Sequence, residues 1–389
     1  MSSNQQNRHP VKALIVCHDF GLSGANRSLL DWVTSRNRDL INPVILLPRD
    51  YPETRKAFEE QGCEVWIGNY RFDIKRVGSV PVIRKAKDYL GHLYSLASDP
   101  INIFFLKKRV AEVGIQVIHT NSFATSFGAR LARECGLPHI WHIREFMKED
   151  HGIAHFNEND IRELCSRSSA IFISDVVKEF YLQKYRFLGA VVIYNRVSFN
   201  PSLIRRRAFM EDGVCRMIIV GTLQAGKGQR DAIQATKELH DLGYQVELNV
   251  VGKGDYGYIS DLIETTGETY IHLMGYKNNV SEIRLGMDIA LVCSRMEAFG
   301  RVTIESMYYK NLVIGLDAGC TSYLLDNDKY GLLYREGNRS LVQSVIWAMN
   351  NRNLVRNIVD SAFDYSIKAY SYDISKVIFS FYQSVLAVN

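Results

Sequence analysis

"DIALVCSRMEAFGRVTIESMYYKNLVIGL", residues 288–316, decides how the chain is read. "DIALVCS" is a short apolar run that ends at Ser294, and "NLVIGL" (311–316) is a second. Between them, Phe299 and Gly300 form a turn, and Val302 to Tyr309 continue as a helix. Strand, turn, helix, strand is the repeating unit of a parallel sheet covered by helices. The turn holds Glu297, the helix holds Glu305, and Gly300, Arg301 and Val302 open the helix.

The same alternation extends in both directions. A first series of strands is expected at "KALIVCH" (12–18), "PVILL" (43–47), "EVWI" (64–67), "IQVIHT" (115–120), "PHIWHI" (138–143), "AIFIS" (170–174) and "AVVIY" (190–194). A second comprises "CRMIIVG" (215–221), "YQVELNVVG" (244–252), "YIHLMG" (270–275), "DIALVCS", "NLVIGL" and "GLLY" (331–334). The polar stretch 195–213, with Pro201 and three arginines at 205–207, reads as a linker. The expected domains are 1–204, carrying a basic segment 68–112, and 205–371, with a closing amphipathic helix at 372–389 that packs back on the first domain. A chain of 389 residues exceeds the ~250–300 at which a single core stops growing, so two doubly wound domains are expected. Their strand carboxyl ends should face a cleft, because ligands of such sheets bind outside those ends.

Composition narrows the function classes. Seven scattered cysteines show no metal spacing and suit a reducing compartment. The polar start "MSSNQQNRHPVK" lacks the apolar core of a leader, and no apolar run is long enough to span a membrane, so a cytoplasmic location is expected. The chain carries a net charge of +5, while residues 71–110 alone hold nine Lys/Arg against three Asp. The positive field thus comes from one segment.

Three loops carry the candidate chemistry. "HDFGLSGANRSLL" (18–30) follows the first strand; its Gly21 and Gly24 would let backbone approach a ligand at a helix start, or form a plain turn. "GTLQAGKGQRDAIQA" (221–235) holds the same place in the second series, with Lys227 between two glycines ahead of a helix. It is not a Walker A loop, because Gln229 stands where Ser or Thr is required. A cation beside a helix start suits a diphosphate. In the third loop the amides of Gly300, Arg301 and Val302 also suit phosphate oxygens, and Glu305 lies about 6 Å farther along the axis. Carboxylates repel phosphate but accept hydrogen bonds from hydroxyl pairs. The combination fits a ligand with phosphate in the middle and hydroxylated rings at both ends, such as a nucleotide-sugar.

At these residues the chain resembles glycosyltransferase family 4, retaining enzymes of the α/β GT-B fold with two Rossmann-like domains. Two glutamates separated by seven residues with Phe-Gly between them mark that family, and Glu297 to Glu305 matches the pattern. The resemblance implies that Glu297 binds the donor sugar, Glu305 the ribose diol, and Lys227 with the 300–302 amides the diphosphate. His142 in "WHI" matches a histidine kept near the donor sugar. "VVGKGD" and "HLMGYKNNV" resemble the nucleoside pocket and bring in Gly252 and Tyr276, with Phe299 and Thr222 also on the donor side. Thr222 stands where many relatives carry an arginine; Arg230 or Arg301 would have to compensate. Arg144 and Glu145 either line the acceptor side or pair with each other.

The implied activity is retaining transfer from a nucleotide-diphosphate sugar, UDP-linked in preference to GDP-linked. The receiving hydroxyl would belong to a glycan, lipid-linked or protein acceptor in bacterial surface polysaccharide or glycoconjugate synthesis. The resemblance implies no cofactor and no metal, and "DND" (326–328) reads as a solvated turn. The rival readings are a non-catalytic acceptor-binding subunit and a sugar-nucleotide epimerase. Arginines 205–207 lack interleaved aromatics, so no nucleic-acid partner is expected.

The basic segment lies outside the resemblance. "VPVIRKAKDYLGHLYSL" (80–96) places Ile83, Ala86, Leu90, Leu93 and Tyr94 on one helical face, and "PINIFFLKKRV" (100–110) adds four apolar residues beside three cations. It reads as a pair of helices packed on the first domain, or as a surface that docks a lipid-linked or protein acceptor or makes peripheral contact with an anionic membrane at its inner face.

Overall fold

The computed structural model describes residues 10–22, 24–71, 73–78, 80–203, 207–263, 269–335 and 340–388. The chain divides into two compact units: Met1–Arg196 with Asp373–Asn389, and Val197–Tyr372. The linker reading puts the division at 204/205, and residues 204–206 lie outside the described residues. The units divide earlier because the linker's first residues are already bound into the second unit. The Val197 amide donates to the Tyr370 carbonyl at 3.0 Å, and the Phe199 ring stacks on Tyr308 at 4.0 Å.

The first unit contains β1 (Val11–Val16), β2 (Ile41–Leu47), β3 (Glu64–Ile67), β4 (Ile74–Arg76), β5 (Val117–Thr120), β6 (His139–Ile143), β7 (Ile153–His155), β8 (Ser169–Phe172) and β9 (Ala190–Val192). Seven of these form a parallel sheet in the order β3-β2-β1-β5-β6-β8-β9. The second unit contains β10 (Cys215–Val220), β11 (Val246–Val251), β12 (Ile271–Gly275), β13 (Ile289–Val292), β14 (Leu312–Leu316) and β15 (Leu332–Tyr334). They form a six-stranded parallel sheet, β12-β11-β10-β13-β14-β15. Every strand expected from the apolar runs is present. Leu14, Val16, Leu46, Ile118 and Leu131 centre the first core, and Ile219, Leu248, Val250, Leu291 and Ile314 the second.

Strand order reverses between β1 and β5 in one sheet and between β10 and β13 in the other. A parallel sheet opens a crevice at such a switch point, at the carboxyl edge. The loops after β10 and β13 therefore meet, although about 70 residues separate them along the chain.

Two features depart from expectation. β4 and β7 pair as an antiparallel ribbon that no apolar run announces. The basic segment forms one helix, Val82–Val113, running through Pro100. Proline removes the hydrogen bond to the Leu96 carbonyl, and both residues are exposed, so water can take its place. The helix ends at Gly114, whose φ of 72° is left-handed. Ser95, Asp99, Ile103, Leu106 and Val110 are its buried residues, all but Ser95 in the second half. The first half does not bury its apolar side: Ile83 is 73% and Leu90 65% exposed, as are Phe104 (73%) and Phe105 (68%) farther along. The helix Ile374–Val388 belongs to the first unit, where Ser375 Oγ accepts from the Asn37 amide at 3.1 Å. All seven cysteines are free, and all but Cys135 are buried.

Candidate functional site

In the second unit, the loop after β10 passes through a 3-10 turn, Ala225–Lys227, and enters the helix Gln229–Asp241. Gly228 caps that helix with φ +69°, and a Cβ there would run into the Cys293 carbonyl at the end of β13. Only glycine allows this approach, which seats the lysine loop against β13. Lys227 Nζ then lies 3.1 Å from Glu297 Oε2. Both side chains are partly exposed, at 25% and 21%, so a ligand can take either partner.

Gly300 (φ +78°) turns the chain into the helix Arg301–Tyr308, and a Cβ on it would collide with Leu324. The ring of Phe299 is buried against Tyr370, with centroids 5.9 Å apart. The first-turn amides of a helix have no acceptor within it and present N–H groups to the loop; Val302 lies in that turn, partly buried.

Glu305 is held from two sides. Arg301 Nε donates to Oε1 at 3.1 Å, and Arg284 Nη1 lies 2.9 Å from Oε2. Arg284 is 1% exposed, and its Nε and Nη2 have no hydrogen-bond partner among the described residues. Burial lowers its pKa, and the Glu305 carboxylate opposes that shift. Nothing in "EIRLGMD" (282–288) marks this arginine as inward-facing; its partner is a helix away in sequence. A buried cation clamped on a half-buried carboxylate fixes that carboxylate's direction. If the site takes the UDP-linked donor that the resemblance implies, Arg284→Met should weaken UDP binding about tenfold, ~1.4 kcal/mol, and Arg284→Lys should recover part of it. Isothermal titration that finds equal affinity for Met, Lys and wild type would remove Arg284 from the site.

The arginines expected to compensate for Thr222 are committed elsewhere. Arg230 makes a bidentate pair with Asp261 at 2.6 and 2.7 Å, and Arg301 pairs with Glu305. The Thr222 carbonyl accepts from Gln229 Nε2 at 2.9 Å. Gly252 packs against the Gly221 carbonyl and donates to the Gly275 carbonyl at 2.9 Å, ahead of the exposed Tyr276. Asp326, Asn327 and Asp328 all have positive φ, and the Asp328 carboxylate accepts from the Leu333 amide. Among the described residues no group of three or more His, Cys, Asp or Glu could hold a metal ion.

In the first unit, His142 lies at the carboxyl end of β6, 1% exposed. Burial first, then the charges of Arg144 and His119, holds its imidazole well below the usual range, so it is neutral. Arg144 Nη2, which can only donate, lies 3.1 Å from His142 Nδ1. Nδ1 is therefore the acceptor and the proton is on Nε2. His119 Nε2, 3.2 Å from the same Nδ1, must then donate, which leaves His119 Nδ1 to accept from the Tyr382 hydroxyl at 2.6 Å. The chain of donors runs Tyr382, His119, His142. It ends on His142 Nε2–H, which has no partner among the described residues. His142 offers a hydrogen bond at that nitrogen; it is not poised as a base. His119 and Tyr382 were not singled out from sequence, although His119 sits in the strand "VIHT".

Arg144 and Glu145 do not pair with each other. Arg144 is buried, binding Asn121 Oδ1 at 2.9 Å and Asn195 Oδ1 at 2.5 Å, and burial pushes its pKa down to about 10. Glu145 accepts from Ser122 Oγ and from the Phe123 amide at 2.8 Å. At the loop after β1, a Cβ at Gly24 would meet nothing within 4 Å, and one at Gly21 only Asp19 Oδ2 at 4.0 Å. Space is therefore left beside both glycines. The loop is instead held by Asn26 Nδ2, which donates to the Asp19 and Gly21 carbonyls at 2.8 Å.

Residues 204–364 match the family model described as Glycosyl transferases group 1. An uncharacterised glycosyltransferase of Methanocaldococcus jannaschii is 24% identical over 291 residues, covering 69% of this chain and 75% of that protein. Anabaena HepE in complex with UDP and glucose superposes with a TM-score of 0.72 at 19% identity, over 96% of this chain and all (100%) of that one. A glycosyltransferase of Rickettsia africae gives 0.74 at 17% identity, over 97% and 100%. The fold is GT-B.

Proposed function

With a group 1 glycosyl transferase match at residues 204–364 in a GT-B fold as premise, we propose that the protein is a retaining, metal-independent glycosyltransferase using a UDP-sugar. The observation that carries this reading is the Lys227–Glu297 pair at the β10/β13 switch point, 3.1 Å apart. Lys227 and the amides of Gly300 to Val302 take the diphosphate, Glu297 the sugar hydroxyls, and Glu305, aimed by Arg284, the ribose diol. The bond from the anomeric carbon to the diphosphate oxygen breaks as charge grows on phosphate, where Lys227 stabilises it. The acceptor hydroxyl adds on the same face, and its proton passes to the leaving phosphate. The neutral His142 offers a hydrogen bond from Nε2 and takes no proton. The HepE complex with UDP and glucose supports a uridine donor.

A thermal-shift comparison of UDP, GDP and ADP tests the donor, since a ligand at 100 times its Kd stabilises by ~2.7 kcal/mol. UDP should shift the transition most, and a UDP-sugar should then yield a product of retained anomeric configuration in EDTA. No shift with any nucleotide sinks the reading; free sugar without acceptor would indicate an epimerase.

The acceptor belongs, in this reading, to surface polysaccharide or glycoconjugate synthesis at the inner face of the membrane. No helix among the described residues is long and apolar enough to cross a membrane. The helix Val82–Val113 exposes Ile83, Leu90, Phe104 and Phe105 beside Arg84, Lys85, Lys107, Lys108 and Arg109. Such a surface suits anionic lipid, at ~1 kcal/mol per engaged cation. Phosphatidylglycerol vesicles should co-sediment wild type at low salt but not the variant with these five cations changed to Gln; equal sedimentation of the two would refute the contact.

A further inference from the structure

The first unit contains a cavity of about 710 Å³ whose lining includes none of the residues placed on the donor side. The loops after β1, β2 and β3 form one wall, with Phe20, Arg49 and Arg71; β4 and the helix Val82–Val113 form the other, with Arg76, Lys87 and Tyr94. It lies at the carboxyl edge of the parallel sheet, the edge at which β6, carrying His142, ends.

Its charge is one-sided. Four cations, Arg49, Arg71, Arg76 and Lys87, line it with one carboxylate, Asp88, a net of +3. Asp88 is already engaged: the Arg76 amide donates to it at 3.0 Å and the Arg76 guanidinium pairs with it. Among the described residues no carboxylate pairs with Arg49, Arg71 or Lys87. Two of these are positioned by rings instead. The Arg49 guanidinium lies 4.0 Å from the Phe20 centroid and that of Arg71 4.5 Å from the Tyr94 centroid. Stacking restrains a guanidinium without neutralising it, and leaves its N–H edges available. Cations gathered around one cavity repel each other until an anion joins them. The volume is that of a small-molecule site, much larger than a single ion needs.

We infer that this cavity binds a phosphate or diphosphate group carried by the acceptor. The class follows from charge and geometry. Arginine forks match phosphate oxygens bidentately, and a diphosphate balances most of the +3, where a single carboxylate would leave most of it. The inference rests on the reading that the chain transfers a sugar, because it assigns the ligand to the receiving molecule. The aromatic-backed arginines and Lys87 then recognise a charged part of the acceptor away from the hydroxyl that reacts.

The test uses the full chain with saturating UDP, so that the donor residues are occupied, and titrates inorganic pyrophosphate. Wild type should bind, and the triple variant Arg49→Gln/Arg71→Gln/Lys87→Gln should bind at least tenfold more weakly with unchanged UDP affinity. All three side chains are exposed, so the variant should fold. Two controls separate the sources of the phosphate. If pyrophosphate displaces phosphatidylglycerol vesicles from wild type, the group belongs to a lipid; if pyrophosphate binds without affecting vesicles, it belongs to a soluble molecule. No pyrophosphate binding by wild type, equal binding by the triple variant, or equally tight malonate binding overturns the inference. Failure of UDP to bind would remove the donor reading alone, because pyrophosphate titrated without UDP still compares wild type with the triple variant.

Discussion

Glu297→Ala should reduce sugar transfer by about 10³-fold, ~4 kcal/mol of barrier, with UDP affinity equal to wild type or slightly tighter. Glu297 is placed at the sugar end of the donor, and a carboxylate that orients the reacting sugar acts mainly in the transition state. Its partner in the free protein is Lys227, 3.1 Å away. A donor that engages both residues must separate this pair, and the alanine variant has no such pair to separate. Loss of turnover with retained or improved nucleotide binding is therefore the signature. A general folding defect would weaken both. Turnover within tenfold of wild type, measured with a UDP-sugar that the wild type accepts, would remove Glu297 from the reaction.

Lys227→Ala should impair both quantities, with kcat down about 10²–10³-fold, the usual effect of removing one stabiliser of developing charge, and UDP binding weakened. In the proposed mode the lysine meets a diphosphate that is already charged in the ground state and becomes more so as the glycosidic bond breaks. Lys227→Arg should recover binding better than turnover. Gly228 seats the loop against the Cys293 carbonyl, so the longer, planar guanidinium starts from the same anchor and has to reach the phosphate differently. Unchanged UDP affinity in the alanine variant would contradict the placement of the diphosphate at this loop, whatever happened to turnover.

The fold was legible because its signals are local. Near-continuous apolar runs such as "KALIVCH" and "CRMIIVG" alternate with helical stretches, and both sheets assemble from those runs. The antiparallel β4–β7 ribbon was not legible, because three-residue strands such as "IKR" and "IAH" carry no pattern. The long helix was misread as two because Pro100 is a breaker by propensity. Packing of Ile103, Leu106 and Val110 after the proline and of Ser95 and Asp99 before it carries the helix through.

The sequence by itself determined the doubly wound architecture, the glutamate spacing at 297 and 305, and the glycine-flanked Lys227. Each depends on residues within one strand–loop–helix unit. Tertiary structure alone decided who meets whom. Lys227 reaches Glu297 because β10 lies beside β13, and buried Arg284 reaches Glu305 from another helix. His142 acquires its tautomer from Arg144 and, through His119, from Tyr382 near the far end of the chain. Apolar periodicity records which face of an element is buried. The partner of a buried polar atom is set by the order in which strands join the sheet and by the loops that order brings together.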